Sequence, residues 1–284
     1  MKKLSILILG VIVAIATAYA QSTPSATPAF HAKKSGKGEP VIFLPGFTCP
    51  GAVWDETIAH LNKQYETHVI SYAGFNDLQP IKMPWYETIK KEMIVYIQTN
   101  KLKNIRIVGH SMGGMLAVDL ASELPDQVRS IVAVDALPCL RELWMPGVPA
   151  SSFKYDSPYN KQQLAATDET MKQTATMMSS SMTLNKEKAD LIAKWTLEAD
   201  RETYVYGYTD LLKIDLRDAL TKVKAKTLIL GAPYPDATVV TANMEKQYAN
   251  LKTKNIVIAE NSRHFIMFDQ PEWFYGKVNS FLSE

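Results

Sequence analysis

The pentapeptide at residues 109–113, Gly-His-Ser-Met-Gly, places a serine between two glycines in the pattern Gly-x-Ser-x-Gly. A short β-branched run at 104–108 precedes it and is typical of a buried strand, and the apolar spacing at 115–123 indicates a helix. Such a turn raises a serine hydroxyl above the sheet, at the positive end of the helix dipole. We therefore predict that Ser111 is a nucleophile for acyl transfer.

A serine hydroxyl needs a base to take its proton, and histidine is the commonest base in enzymes. The chain has five histidines. We expect His31 on an exposed strand, His60 on a surface helix and His68 at the start of a strand. His110 lies inside the serine turn and should point elsewhere. His264 remains, in a loop between the last apolar strand and the C-terminal helix, and we predict that it is the base.

An acid should orient this imidazole, and two aspartates compete for the role. Asp236 follows the apolar strand at 227–230 by a few residues. Asp135 directly follows the apolar run at 131–134, although an aspartate in that place is often only a turn or helix cap. We expect Asp236 to be the acid and keep Asp135 as the alternative.

Acyl transfer builds negative charge on the carbonyl oxygen, which preorganised backbone N–H groups can stabilise. One such group belongs to Met112, immediately after the serine. The loop that follows the apolar strand at 41–44 supplies the other, at Phe47. Gly46 allows a close approach of the backbone there. Phe47 and Met112 are therefore the predicted oxyanion donors.

These segments resemble the α/β-hydrolase superfamily, in its capped esterase and lipase-like branch, from about residue 30 to the end. The similar segments are Phe-Leu-Pro-Gly-Phe at 43–47, Gly-His-Ser-Met-Gly-Gly at 109–114, Thr-Leu-Ile-Leu-Gly at 227–231, His-Phe at 264–265 and Gln-Pro-Glu at 270–272. The resemblance implies the chain order Ser111, Asp236, His264, and chemistry that needs no metal or organic cofactor. The family acid usually stands closer to the strand-end glycine than Asp236 does, so Asp135 stays open.

Strands alternate with helices along the chain, which predicts an α/β fold with a doubly wound, mainly parallel sheet. The strand-like runs lie near residue 30 and at 41–44, 68–71, 105–108, 131–134, 227–230 and 256–259. We assign the α/β-hydrolase core to residues 30–136 and 221–284. Residues 137–220 have helical patterns at 159–178 and 186–199 and form the predicted cap.

The predicted cap is rich in methionine and tryptophan, and methionine adapts its shape to apolar ligands. Most of these side chains should simply pack the cap onto the sheet. Trp144 and Met145, where the chain enters the cap, are better candidates for lining a substrate pocket. An apolar acyl or alcohol group of small to medium size is the expected ligand.

The N-terminus has the pattern of a bacterial secretory signal. Lys2 and Lys3 precede an apolar stretch at 4–16, and Ala-Tyr-Ala at 18–20 suits a signal peptidase. We expect cleavage after residue 20, a flexible leader at 21–29, and a periplasmic or secreted protein without a stable membrane anchor.

Cleavage would remove two lysines and no acidic residue, which leaves 29 basic and 29 acidic side chains. A net charge near zero gives no indication of a nucleic-acid partner. Cys49 and Cys139 are the only cysteines. Both follow strands that should end on one face, so a disulfide in an oxidising compartment stays open, as does the oligomeric state.

Together these patterns predict an exported serine hydrolase that cleaves a small to medium ester through an acyl-enzyme. Lactone opening and cofactor-free perhydrolysis use the same three side chains and remain alternatives. A binding protein without catalysis is a further alternative, because fold does not dictate function.

Overall fold

The computed structural model describes residues 27–284 of the 284-residue chain. The predicted signal peptide and residues 21–26 of the predicted leader lie outside the described residues. At the end of that leader, Ala29 is fully buried. Its N–H donates to Glu92 and its carbonyl accepts from the N–H of Ala73, both at 2.9 Å. Ala29 is therefore part of the packed core rather than of a leader.

A seven-stranded sheet forms the centre of the molecule, with the order β1-β3-β2-β4-β5-β6-β7. Its strands are β1 (Phe30–Gly36), β2 (Pro40–Leu44), β3 (Glu66–Tyr72), β4 (Ile105–His110), β5 (Val128–Val134), β6 (Lys226–Gly231) and β7 (Lys254–Ile258). Only β1 pairs antiparallel to its neighbour, and the other five pairings are parallel. The predicted mainly parallel sheet is confirmed.

Helices cover both faces of this sheet. They are α1 (Asp55–Ala59), α2 (Trp85–Thr99), α3 (Met112–Glu123), α4 (Leu140–Trp144), α5 (Pro158–Leu164), α6 (Asp168–Met182), α7 (Lys186–Leu197), α8 (Arg201–Lys213), α9 (Ala237–Gln247), α10 (Ile266–Asp269) and α11 (Pro271–Leu282). Alternate residues of β2 enter opposite cores: Ile42 and Leu44 pack with α2 and α3, whereas Val41 and Phe43 pack towards α11. Burial on both faces explains the continuous apolar runs in the sequence.

Five α-helices, α4 to α8, are inserted between β5 and β6, and this insertion is called the cap below. The pattern at 159–178 becomes two helices, because the Thr167 hydroxyl accepts the N–H of Thr170 and starts α6. Asn185 caps α7 in the same way. The sequence patterns did not predict α8, because aromatic and β-branched residues have a low helix propensity. Asp200, which caps the first turn of α8, was the signal for its start.

The parallel direction of the strands determines where the site lies. Loops that follow β2, β4, β5, β6 and β7 all leave the sheet at the same edge, which is where open α/β sheets bind ligands. The cap lies over that edge, since its helices and these loops line one cavity. Within the part of the chain that the structure describes, every helix is too short or too polar to span a bilayer.

Candidate active site

Ser111 occupies a sharp turn between β4 and α3. Its backbone has φ 54° and ψ −120°, a left-handed conformation that non-glycine residues rarely adopt. The Ser111 N–H donates to the carbonyl of Val134 at 2.8 Å, which holds the turn against β5. The predicted strand-turn-helix context of the serine is confirmed.

The two flanking glycines allow close packing that this turn requires. A Cβ atom at Gly109 would lie 2.2 Å from the carbonyl oxygen of Gly113. A Cβ atom at Gly113 would lie 2.2 Å from the carbonyl oxygen of Leu44, in the neighbouring strand. Real side chains do not tolerate such distances, so the turn packs against β2 only because both positions are glycine.

The His264 imidazole lies against Asp135. Its Nδ1 is 2.6 Å from Oδ2 of Asp135, and both side chains are partly buried. The other carboxylate oxygen accepts the N–H of Ala232 at 3.0 Å. Asp135 itself has φ 44°, which aims its side chain across the strand ends. The carboxylate thus fixes the ring and leaves Nε2 as the nitrogen that can serve a reaction.

The preference for Asp236 over Asp135 as the partner of this imidazole is wrong. Asp236 is exposed and caps α9, where Oδ1 accepts the N–H groups of Thr238 at 2.8 Å and Val239 at 3.1 Å. The first turn of a helix has backbone donors without internal acceptors, and an aspartate satisfies them well. We expected Asp135 to be the residue more typical of a turn or helix cap and Asp236 to be the acid. In the structure Asp236 caps the helix and Asp135 is the partner of His264.

Both predicted oxyanion donors line the same cavity as Ser111. Met112 is the first residue of α3, so its N–H has no acceptor within the helix. The Phe47 N–H donates to no protein acceptor among residues 27–284. Gly46 allows the Phe47 loop to lie close to the serine turn, since a Cβ atom at Gly46 would be only 2.9 Å from Nδ1 of His110. The two N–H groups are therefore free to meet a ligand.

His110 supports the predicted base from behind, a contact that the sequence did not reveal. Its Nε2 donates to the carbonyl of His264 at 3.0 Å, and the two rings are 4.5 Å apart. Burial holds the pKa of His110 well below its usual value, with the nearby His264 as a smaller cause. His110 therefore stays neutral and acts as a fixed hydrogen-bond donor.

One cavity of about 360 Å³ contains these groups. Ser111 and His264 both line it. Among the hydrogen bonds of residues 27–284, none joins the serine hydroxyl to this imidazole. The cap contributes mainly apolar side chains: Leu140, Leu143, Trp144, Met178, Met182, Ile192 and Leu211. Among the described residues that line the cavity, none is a lysine, arginine or glutamate, and Asp135 is the only one with a carboxylate.

Trp144 lines this cavity as predicted, with 63% of its surface exposed, so it stands at the mouth. The prediction that Met145 lines it is wrong. Helix α4 ends at Trp144, and Met145 has the extended φ of −141°, so the chain leaves the cavity there.

Helix α8 supplies pocket residues that sequence reasoning missed. Tyr204 and Tyr208 line the cavity, and their rings lie 6.0 and 5.9 Å from that of Phe47. Gly207 allows this approach, because a Cβ atom there would lie 3.1 Å from the Phe47 ring. A glycine inside a helix is a signal of close packing that the sequence did contain.

The two cysteines are unpaired and buried in this structure. Cys49 lines the cavity, and burial raises the pKa of its thiol to about 12. A thiol with such a pKa is a poor nucleophile, since the thiolate is the reactive form.

The low pKa of buried His110 should make stability depend on pH. Below about pH 6.5 the unfolded chain takes up a proton at this histidine and the folded protein does not, so stability falls by up to about 1.4 kcal/mol per pH unit. In His110→Asn that contribution is absent. The stability difference between wild type and variant should therefore shrink as the pH falls from 7 to 5 in urea unfolding. His31→Asn, an exposed strand position, is the control. Parallel curves for wild type and His110→Asn would contradict the buried neutral state.

Comparison with known proteins agrees with this architecture. A family model described as alpha/beta hydrolase fold matches residues 39–271. A pimeloyl-[acyl-carrier protein] methyl ester esterase of Legionella pneumophila is 27% identical over 255 residues, covering 89% of this chain and 98% of the relative. Its namesake from Aeromonas hydrophila is 24% identical over 265 residues, covering 88% and 98%.

Solved structures show the same likeness. An esterase from Exiguobacterium antarcticum has a TM-score of 0.74 at 18% identity, covering 90% of this chain and 96% of its own. An enol-lactonase from Burkholderia xenovorans has a TM-score of 0.74 at 17% identity, with the same coverage. With a family model spanning most of its length and the serine turn that this fold presents, the chain belongs to the α/β-hydrolase family.

Proposed function

We propose that this protein hydrolyses a carboxylic ester through a covalent acyl-enzyme at Ser111. The observation that carries the proposal is the Asp135–His264 hydrogen bond beside a strained serine turn, in one cavity that also contains free N–H groups. Each of these groups has a place in acyl transfer, and together they make a complete set. The names of the relatives, methyl ester esterases, support the same reaction.

In the first half of the reaction, the Ser111 oxygen attacks the ester carbonyl and its proton passes to Nε2 of His264. Asp135 stabilises the imidazolium, and the N–H groups of Phe47 and Met112 receive the oxyanion. Each such donor is worth about 3 kcal/mol of barrier reduction. The carbon–oxygen bond to the alcohol then breaks, and the imidazolium protonates the departing alcohol. The acyl group stays on the serine as an ester.

In the second half, water replaces the alcohol. His264 takes a proton from water as the oxygen attacks the acyl carbonyl, and the same N–H groups hold the new oxyanion. The bond to Ser111 breaks, the imidazolium returns the proton to the serine, and the carboxylic acid leaves. The mechanism requires the serine hydroxyl to reach Nε2 when substrate binds, and such contacts commonly tighten in the complex.

The cavity favours a neutral, mainly apolar ester of small to medium size. Its volume of about 360 Å³ lies near the lower end of the usual range for ligand sites. Methionine, leucine and aromatic side chains line most of it. An anionic group in the substrate would meet no lysine or arginine among the residues of 27–284 that line the cavity.

Removal of the nucleophile tests the reaction itself. Ser111→Ala should fold normally and lose several orders of magnitude in kcat on p-nitrophenyl butyrate, because no acyl-enzyme can form. Intact-mass measurement should show a fluorophosphonate adduct on wild type and none on Ser111→Ala. Full activity in Ser111→Ala would refute the proposal. A wild type that takes no adduct and turns over no ester would favour a binding protein.

The same assay separates the alternative reactions. A lactone is an internal ester, so the same steps would open it to one hydroxy acid. Perhydrolysis would place peroxide where water attacks. Product analysis with an ester, a lactone and added peroxide compares the rates of ester hydrolysis, lactone opening and peracid formation. If lactone opening or peracid formation is faster than ester hydrolysis, that reaction replaces ester hydrolysis as the proposed activity.

A matched pair of substitutions identifies the acid. Asp135→Asn should lower kcat about 10⁴-fold, because an amide no longer holds the imidazole in the right tautomer. Asp236→Asn should keep both kcat and stability, because asparagine caps a helix as well as aspartate does. Circular dichroism of both variants controls for folding. A severe loss of kcat in Asp236→Asn alone would reverse the assignment.

We also propose that the protein is exported, on the basis of the signal-like pattern at residues 1–20. N-terminal sequencing of protein recovered from the periplasm or medium of an expressing bacterium should give Gln21 as the first residue. Recovery only from the cytoplasm, with residue 1 or 2 first, would contradict export.

A further inference from the structure

The loop that carries His264 is fastened to the cap on both sides of the imidazole. Before it, the guanidinium of Arg263 donates to the carbonyl of Ser180 at 2.6 Å. After it, the N–H of Phe265 donates to the carbonyl of Met182 at 3.0 Å. Both acceptors belong to the last turn of α6. The base and the roof of the cavity are thus one hydrogen-bonded unit.

Asp269 joins the same two segments through a single carboxylate. Its Oδ2 accepts the N–H of Arg263 at 2.8 Å, next to the base. Its Oδ1 accepts the hydroxyl of Thr183 at 2.5 Å and the N–H of Leu184 at 2.8 Å, in the turn between α6 and α7. Thr183 is only 3% exposed, so its hydroxyl is sheltered from water, whereas the Leu184 contact lies at the surface.

The cap segment held in this way also lines the substrate cavity. Met178, Ser179, Ser181 and Met182 of α6 all contribute to its wall. Asp269 itself does not line the cavity, so it can act only through other residues. A ligand that contacts α6 therefore contacts the helix to which the His264 loop is hydrogen-bonded.

We propose that Asp269 is a positioning residue, which keeps His264 aligned with Ser111 by tying the base loop to the α6–α7 turn. This inference rests on the proposed role of His264 as the base. His110 holds the carbonyl of His264 from the β4 side. Asp269 holds the same loop through the N–H of Arg263 and also binds the α6–α7 turn. The position of His264 relative to Ser111 therefore depends on how the cap packs.

The double link requires a carboxylate. Three donors face Asp269, from Arg263, Thr183 and Leu184, and its two oxygens accept all of them. Asparagine has one acceptor oxygen, so its NH₂ group would face a donor on one side or the other. Asp269→Asn therefore breaks the link to the loop or the link to the cap, with little change in side-chain size.

The test compares Asp269→Asn and Thr183→Val with wild type in the full-length protein. Misplacement of a catalytic group by about 1 Å can cost about a hundredfold in rate. We expect kcat on p-nitrophenyl butyrate to fall about tenfold to a hundredfold in Asp269→Asn, with KM changed less than threefold. Fluorophosphonate labelling of Ser111 should slow by a similar factor. Thr183→Val removes the hydroxyl that donates to Asp269 and accepts the N–H of Asn185, but it leaves the Leu184 contact to Asp269 in place, so it should lower kcat less, but measurably.

The matched control is Asp190→Asn, the same change on the exposed surface of α7, which should leave kcat and labelling unchanged. Asp269→Asn that is folded and has wild-type kcat would overturn the inference. A loss in Asp269→Asn with no change in Thr183→Val would overturn the dependence on the cap. If Asp269→Asn does not fold, Thr183→Val alone decides. Retained activity in His264→Ala would instead refute the proposed function.

Discussion

Close packing of backbone around Ser111 is the constraint on which the rest of the site depends. The turn fits only because Gly109 and Gly113 place backbone atoms where a Cβ would approach a carbonyl oxygen to 2.2 Å. This packing locks β4, α3 and the end of β2 into one rigid unit. It sets the left-handed conformation of Ser111 and frees the N–H of Met112 for a ligand. Groups from other parts of the chain must then be brought to that fixed point.

Partly buried polar contacts hold His264 at this site. His264 is held at Nδ1 by Asp135 and at its carbonyl by His110, while Asp269 and Met182 hold the residues on either side. Leaving a polar group unpaired away from water is costly, so the atoms paired in these contacts favour one geometry. The bond from Phe265 to Met182 and the bonds of Asp269 to Thr183 and Leu184 attach the cap to the His264 loop, so the shape of the cavity and the orientation of the imidazole depend on each other.

Local patterns predicted the seven strands, the serine turn and the loop position of His264, because each depends on residues adjacent in the chain. The choice between Asp135 and Asp236 was different. Both follow an apolar strand, and either can cap a helix. The outcome depends on which strand end lies beside the histidine loop, and a carboxylate one residue beyond β5 reaches His264 whereas Asp236 turns to the first N–H groups of α9.

By itself the sequence determined the serine turn, the loop position of His264 and the parallel sheet, since periodicity and glycine spacing encode local backbone conformation. Only the tertiary structure decided which aspartate pairs with His264, the contact of His110 with the His264 loop, and the place of Tyr204 and Tyr208 rather than Met145 on the cavity wall. The contact of His110 with His264, for example, joins residues 154 positions apart. No local propensity specifies such pairings, because they follow from the order of strands and the packing of the cap upon them.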